Sequence, residues 1–168
     1  MLKVLIPVDG SRNCQFAVKR VIREFMGNQA MEIHLLNVQA PFNADIARFI
    51  SRKRIHDYHR DEANKTLGPI KQVFDDLRIP YSAHAEVGDK AKLITDAARR
   101  LRCDQIVMGT ARKNSLTRLV ENSVTNKVLE LTPVPVEVIA GDAVSKWERY
   151  GIPAGIGSAV ALLLLAGD

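Results

Sequence analysis

The chain is poor in the residues that most often carry chemistry. It has two cysteines, Cys14 and Cys103, with neither CxxC nor zinc-type spacing, which argues against a disulfide framework or a zinc centre. Cys14 falls on the apolar face of a helical pattern and Cys103 just ahead of an apolar strand, so both are expected as buried free thiols in a reducing, cytoplasmic compartment. Aromatic residues make up only 5% of the chain, leaving few rings to stack on bases. The net charge of +5 is therefore not read as a specific nucleic-acid interface; cations around a phosphate site would serve as well. There is no Gly-x4-Gly-Lys-Ser/Thr loop, no Ser/His/Asp set, no paired carboxylates and no internal repeat. Enzymatic turnover is not expected, and no catalytic or metal-ligating residue is assigned.

Long apolar runs are also missing. The start, Met1 to Pro7, is too short for a secretory signal and reads as a strand. Ile152 to Ala166 is uncharged over fifteen residues, short of the ~20 that a membrane-spanning helix needs. With its Gly151-xxx-Gly155 spacing, this segment is expected to pack on the domain or on a second copy, with weak membrane association and disorder as the alternatives.

What is present is a regular alternation of strand and helix patterns. At 168 residues the chain is long enough for one domain, placed at 1–140, followed by an extension at 141–168. Leu2–Val8 is a near-continuous apolar run, as a strand covered on both faces should be. Ser11 is placed to cap a helix whose Cys14, Ala17, Val18, Val21, Ile22 and Phe25 recur at helical spacing, with Gly27-Asn28 as its stop. Glu32–Val38 reads as a second strand. Ala44–Leu77 is helical in composition, with a kink or restart expected at Gly68-Pro69 and an apolar face of Leu67, Ile70, Val73, Phe74 and Leu77. Tyr81–Val87, Gln105–Met108 and Val134–Ile139 complete five strands, and Lys90–Leu101 and Ser123–Leu131 are helices. This alternation predicts an open α/β sheet of parallel strands with right-handed crossovers.

Ligands in such sheets bind beyond the carboxyl ends of the strands. Asp9, Val38 and Gly109 would share that rim. The most informative stretch is Ile106-Val107-Met108-Gly109-Thr110 followed by Asn122-Ser123-Val124-Thr125: an apolar run ending on glycine, then polar side chains at a helix start. Backbone amides there favour an anion. Asp9 can hold a ligand or merely face a helix N-terminus, and Ser11 reads as a cap alone. His56 and His59, with Asp57 and Asp61, are expected on a solvated helix face, and so is the basic run Arg48, Arg52, Lys53, Arg54 and Arg60. His34 and His84 are expected to point outward or to cap a sheet edge. Arg99, Arg100 and Arg102 suit a helix C-terminus.

Taken in order, these segments resemble the universal stress protein family over residues 1 to about 140. The features are Ile6-Pro7-Val8-Asp9-Gly10-Ser11, Leu35-Leu36-Asn37-Val38, Val87-Gly88-Asp89, Cys103 to Gly109, Ser123 to Leu129 and Pro133 to Ile139. The resemblance implies a five-stranded parallel open sheet with helices on both faces, a Rossmann-type three-layer sandwich of the adenine nucleotide alpha hydrolase kind. It also implies a homodimer through the last strand, Val134 to Ile139. In the ATP-binding branch adenine sits between the first two strands. Asp9 and Val38, beside Pro7 and Val8, would flank base and ribose, and Met108, Gly109, Ser123, Val124 and Thr125 would line the phosphate channel.

The family's Gly-x2-Gly-x9-Gly-Ser/Thr loop stands here as Gly-x2-Arg-x9-Asn-Ser, with Arg112 and Asn122 in place of two glycines. Arginine at positive φ would cost roughly 1–2 kcal/mol. Arg112, Lys113 and Arg118 nevertheless bring cations to where a triphosphate would lie. Two readings stay open: a dimeric stress-response module that binds ATP, with or without magnesium, and a nucleotide-free scaffold of the same fold that acts through an unidentified protein partner.

Overall fold

A computed structural model describes residues 1–112 and 124–143. In chain order the elements are β1 (Leu2–Pro7), α1 (Arg12–Gly27), β2 (Met31–Gln39), a single turn α2 (Ala44–Ala47) and α3 (Arg52–Asp76). After these come β3 (Tyr81–Val87), α4 (Lys90–Arg100), β4 (Gln105–Arg112), α5 (Val124–Leu131) and β5 (Val136–Ala143). The strands form one parallel sheet in the order β3-β2-β1-β4-β5. The chain moves outward from β1 in one direction and then returns to build on its other side, so strand order reverses between β1 and β4.

Side-chain alternation along the strands divides the core into two layers. Val4 and Ile6 of β1 and Ile33 and Leu35 of β2 pack with α1 and α3, where Ala17, Val21, Leu67, Ile70 and Phe74 are buried. Leu5, Leu36, Val38 and Ile106 face the other way, against Ile94, Ala97 and Ala98 of α4 and Val128 of α5. All six apolar positions expected on α1 are buried, and Ser11 Oγ accepts from Cys14 N at 3.2 Å as the N-cap. Arg20 ties the outer face of α1 to Glu24 and, across to β5, Glu137.

Several expectations are corrected. Helix α3 runs through Pro69 without a restart. Leu67 before the proline and Ile70 and Phe74 after it are buried in the same core layer, and that packing holds one helical register where local propensity alone would break it. Leu77 is exposed at the C-cap, and Ile79 takes the buried place beyond it. Strand β4 does not end at Met108 but continues to Arg112, with a bulge between Thr110 and Arg112, and β5 runs from Val136 to Ala143.

His34 is buried rather than outward-facing, and His84 is half-buried beside it, with Nε2 of His84 3.3 Å from Nδ1 of His34. Glu32 Oε1 lies 3.1 Å from His34, Lys3 pairs with Glu32, and Arg100 of α4 hydrogen-bonds Glu86. Burial, with help from His34 and Arg100, pushes His84 below its ordinary 6.5. The unfolded chain therefore binds the proton more readily than the native one. Stability should be intact above pH 6.5 and fall as pH drops from there toward the depressed native value. Glu32, held low mainly by its hydrogen bond from Lys3, weakens the fold only below its ordinary 4.5. Urea midpoints between pH 7.5 and 5 should thus decline, with a shallower slope in His84→Gln; equal slopes would contradict this assignment.

Candidate functional site

The carboxyl ends of β1, β2 and β4 and the first turns of α1, α4 and α5 meet at the strand-order reversal. A narrow cleft of ≈ 100 Å³ lies there, lined by Pro7, Val8, Asp9, Cys14, Leu36, Val38, Lys90, Ile94, Met108, Gly109, Val124 and Thr125. Every expected ligand-binding residue whose side chain is described is among them: Pro7, Val8, Asp9, Val38, Met108, Gly109, Val124 and Thr125. Arg112 is placed in backbone only, at the end of β4. Its extended strand conformation spares it the positive-φ cost expected from the glycine pattern. Asn122 and Ser123, like Lys113, Arg118 and the segment Ile152 to Ala166, lie outside the described residues.

Beside the cleft, and sharing Asp9, Val38 and Lys90 with it, is a wider bowl of ≈ 310 Å³ at the β2 end. Asn37, Gln39, Phe42, Tyr58, His59, Glu62 and Thr66 also line it. The cleft alone has room for about three waters' worth of liquid volume, whereas the bowl falls in the range of small-ligand pockets, roughly 300 Å³ and above.

A polar network lines the bowl. Buried Asn37 donates from Nδ2 to the Val8 carbonyl at 2.8 Å, locking the ends of β1 and β2 together. Gln39 Nε2 donates to Asn37 Oδ1 and to the His59 carbonyl, and Gln39 Oε1 lies 2.8 Å from His59 Nδ1. Because an amide oxygen only accepts, His59 Nδ1 must carry the proton. Phe42 packs on Tyr58 and His59 with ring centroids 5.0 and 5.2 Å apart. His59 is therefore half-buried at the rim of the bowl, not on a solvated face, whereas His56 is exposed as expected. Arg48, Arg52, Lys53, Arg54 and Arg60 are all exposed, and Arg60 pairs with Asp57 and Asp61.

Asp9 Oδ1 accepts from Ser11 N at 3.0 Å, shaping the turn that carries the chain into α1, and Gly10 takes a φ of 76° within it. This turn is held from below by a close contact. A Cβ on Gly109 would stand 1.8 Å from the Asn13 carbonyl oxygen and 2.9 Å from Cys14 N. The glycine that marked the site in the sequence is thus required by the first turn of α1, which lies directly on the β4 backbone. Glycine's freedom to take positive φ is not used here; only Gly10 and Gly88 among the described glycines have it.

The cleft offers an anion one ammonium, Lys90, together with the first turns of α4 and α5. Its thiol is a poor nucleophile: Cys14 is buried, its Sγ donates to the Pro7 carbonyl at 3.6 Å, and burial pushes its pKa up to about 12. Among the described residues no group of three or more His, Cys, Asp or Glu side chains could hold a metal ion. No described helix is long and apolar enough to cross a membrane.

Three comparisons bear on this geometry. The model of the Universal stress protein family matches residues 1–140. The chain is 28% identical over 143 residues to Universal stress protein MJ0531 of Methanocaldococcus jannaschii, covering 82% of this chain and 81% of that protein. Among solved structures it is similar to hypothetical protein MJ0577, at TM-score 0.63 and 26% identity over 83% of this chain and 96% of that one. It is also similar to an Arabidopsis thaliana universal stress protein family protein solved with AMP bound, at TM-score 0.61 and 20% identity over 85% and 94%. At 20% identity the last comparison speaks to fold alone.

Substituting Gly109→Ala should lower stability by about 3 kcal/mol, the upper range for overpacking, because the clash is with backbone that cannot rotate away. Urea unfolding reads this directly, and an unchanged midpoint would show that α1 does not bear on β4.

Proposed function

The chain belongs to the universal stress protein family, and on that footing we propose that it is a binding module for an adenine nucleotide, ATP, working without turnover. The observation that carries this reading is the convergence of Pro7, Val8, Asp9, Val38, Met108, Gly109, Val124 and Thr125, four segments distant in sequence, on one crevice at the strand-order reversal. The relative solved with AMP shares this fold.

In this reading the adenosine half occupies the bowl and the phosphates lead into the cleft. Asp9 accepts from ribose or adenine donors, Val38 gives the base an apolar wall, and Lys90 and the α5 first turn face the phosphates. Magnesium would travel with the phosphates, as an ion that keeps most of its waters. The output in this reading is a change in contacts with a protein partner.

Calorimetric titration with ATP and magnesium tests this. Binding is expected, and Lys90→Gln should weaken it about tenfold, the loss of one charge-assisted contact of roughly 1.4 kcal/mol. Absence of heat and of nucleotide in the freshly purified protein would overturn the reading. A second reading, the nucleotide-free scaffold, draws on Gly109: its bareness is explained by α1 packing with no ligand invoked. The two separate on Arg112→Gly with Asn122→Gly. If those side chains close the cleft, the double variant gains ATP binding that the parent lacks.

We also place the homodimer interface at β5. It is an edge strand with Val138 exposed, and Leu129 and Leu131 of the adjoining α5 are exposed large apolar residues. Light scattering should give a dimer mass for the parent and a monomer mass for Val138→Arg; the same mass for both would count against this interface.

A further inference from the structure

The basic run leading into α3 adjoins two bare apolar side chains, and the nucleotide reading uses none of them. Phe49 is 91% exposed, the most exposed large apolar residue among those described, and Ile46 is 52% exposed. The two are three residues apart on one helical turn, with Phe49 N donating to the Ile46 carbonyl at 3.1 Å, so they share one side of it. Arg48 lies between them in sequence, and Arg52, Lys53 and Arg54 follow closely. All four cations are exposed, and none makes a side-chain hydrogen bond or ion pair among the described residues. We propose that residues 46–54 form a docking surface for an anionic lipid bilayer. Phe49 and Ile46 enter the headgroup layer while the four cations meet lipid phosphates and carboxylates.

Charge, shape and position carry the assignment. A single exposed apolar residue needs no explanation; a pair set among uncompensated cations does. No acidic residue stands between Asp45 and Asp57, and Asp57 is already paired with Arg60 at 3.1 Å. The cations do not serve the fold either. Arg52, Lys53 and Arg54 occupy the first turn of α3, which holds no acid, and positive charge there works against the helix dipole. The resulting local potential attracts a phosphate-bearing surface.

The apolar pair then selects among anionic partners. A nucleic acid can stack on Phe49 but gives Ile46 no apolar surroundings, whereas a bilayer has apolar depth for both. Long arginine and lysine stems keep their charged heads at the phosphate level as the apolar side chains go deeper. Three of the four cations are arginines, whose planar guanidinium matches phosphate with two parallel hydrogen bonds. The segment belongs to the β2–β3 connection, on the half of the sheet away from the β5 edge. A dimer built on β5 therefore leaves this surface free.

Cosedimentation of the full chain with vesicles of phosphatidylcholine and phosphatidylserine in equal parts tests the proposal. Binding is expected to these vesicles and not to phosphatidylcholine alone, and it should weaken as salt is raised. Ile46→Ala with Phe49→Ala should reduce it about tenfold. Arg52→Gln with Lys53→Gln should reduce it about 30-fold, roughly fivefold for each charge lost. All four substituted residues are exposed, so urea midpoints should not fall below the parent's, which separates lost binding from lost fold. Equal binding to neutral vesicles, binding to neither kind, or binding that either pair of substitutions leaves unchanged overturns the proposal. So does tighter binding to a single-stranded RNA oligonucleotide than to the vesicles, which would make nucleic acid the partner.

Discussion

The bare backbone of Gly109 under the first turn of α1 is the contact on which the rest of the rim depends. Asn13 and Cys14 approach β4 more closely than any side chain would allow. That approach draws the β1–α1 turn down over the gap between β1 and β4, where parallel strand order reverses and no crossover helix fills the space. Asp9 is fixed by its bond to Ser11 N, and Ser11 by its cap on Cys14. Asn37 then locks the neighbouring strand end through the Val8 carbonyl. One contact without a side chain thus sets the position of an acid, a helix start and two strand ends.

Much of this was legible in the sequence, and the reasons are local. Strand β1 announced itself because a strand covered on both faces must be apolar throughout, and α1 because its six buried positions recur at helical spacing. Asp9, Val38 and Gly109 could be named because strand-end placement follows from βα alternation, and the roles of the other crevice residues came with the family resemblance. The order β3-β2-β1-β4-β5 is the arrangement that makes those ends adjacent.

What was missed required partners distant in sequence. A restart was one of the two outcomes expected at Pro69, because a proline's effect on its own turn is visible, whereas the burial of Leu67, Ile70 and Phe74 in one core layer is not. His34 and His84 looked like outward residues in two unrelated strands; only the β2–β3 register brings them together. Gln39 and His59 form a wall of the bowl through a strand-to-helix bond across twenty residues, for which no motif exists. Gly109 was noticed, but for a ligand's approach rather than a helix's. A Gly at a strand end announces that something comes close and leaves its identity open.

In the proposed reading a nucleotide meets this protein at the β1–β4 crevice, with adenosine toward β2 and phosphates toward α5. Amide chemical-shift mapping of the isotope-labelled chain during addition of ATP and magnesium tests that claim most directly. The account predicts that the moving amides are those of Asp9, Gly10, Val38, Gly109 and Thr125, leaving Ile22 and Val73 at the far end of the α1–α3 layer still. Shifts concentrated at Ile22 and Val73, or a spectrum that ATP leaves untouched, would contradict it.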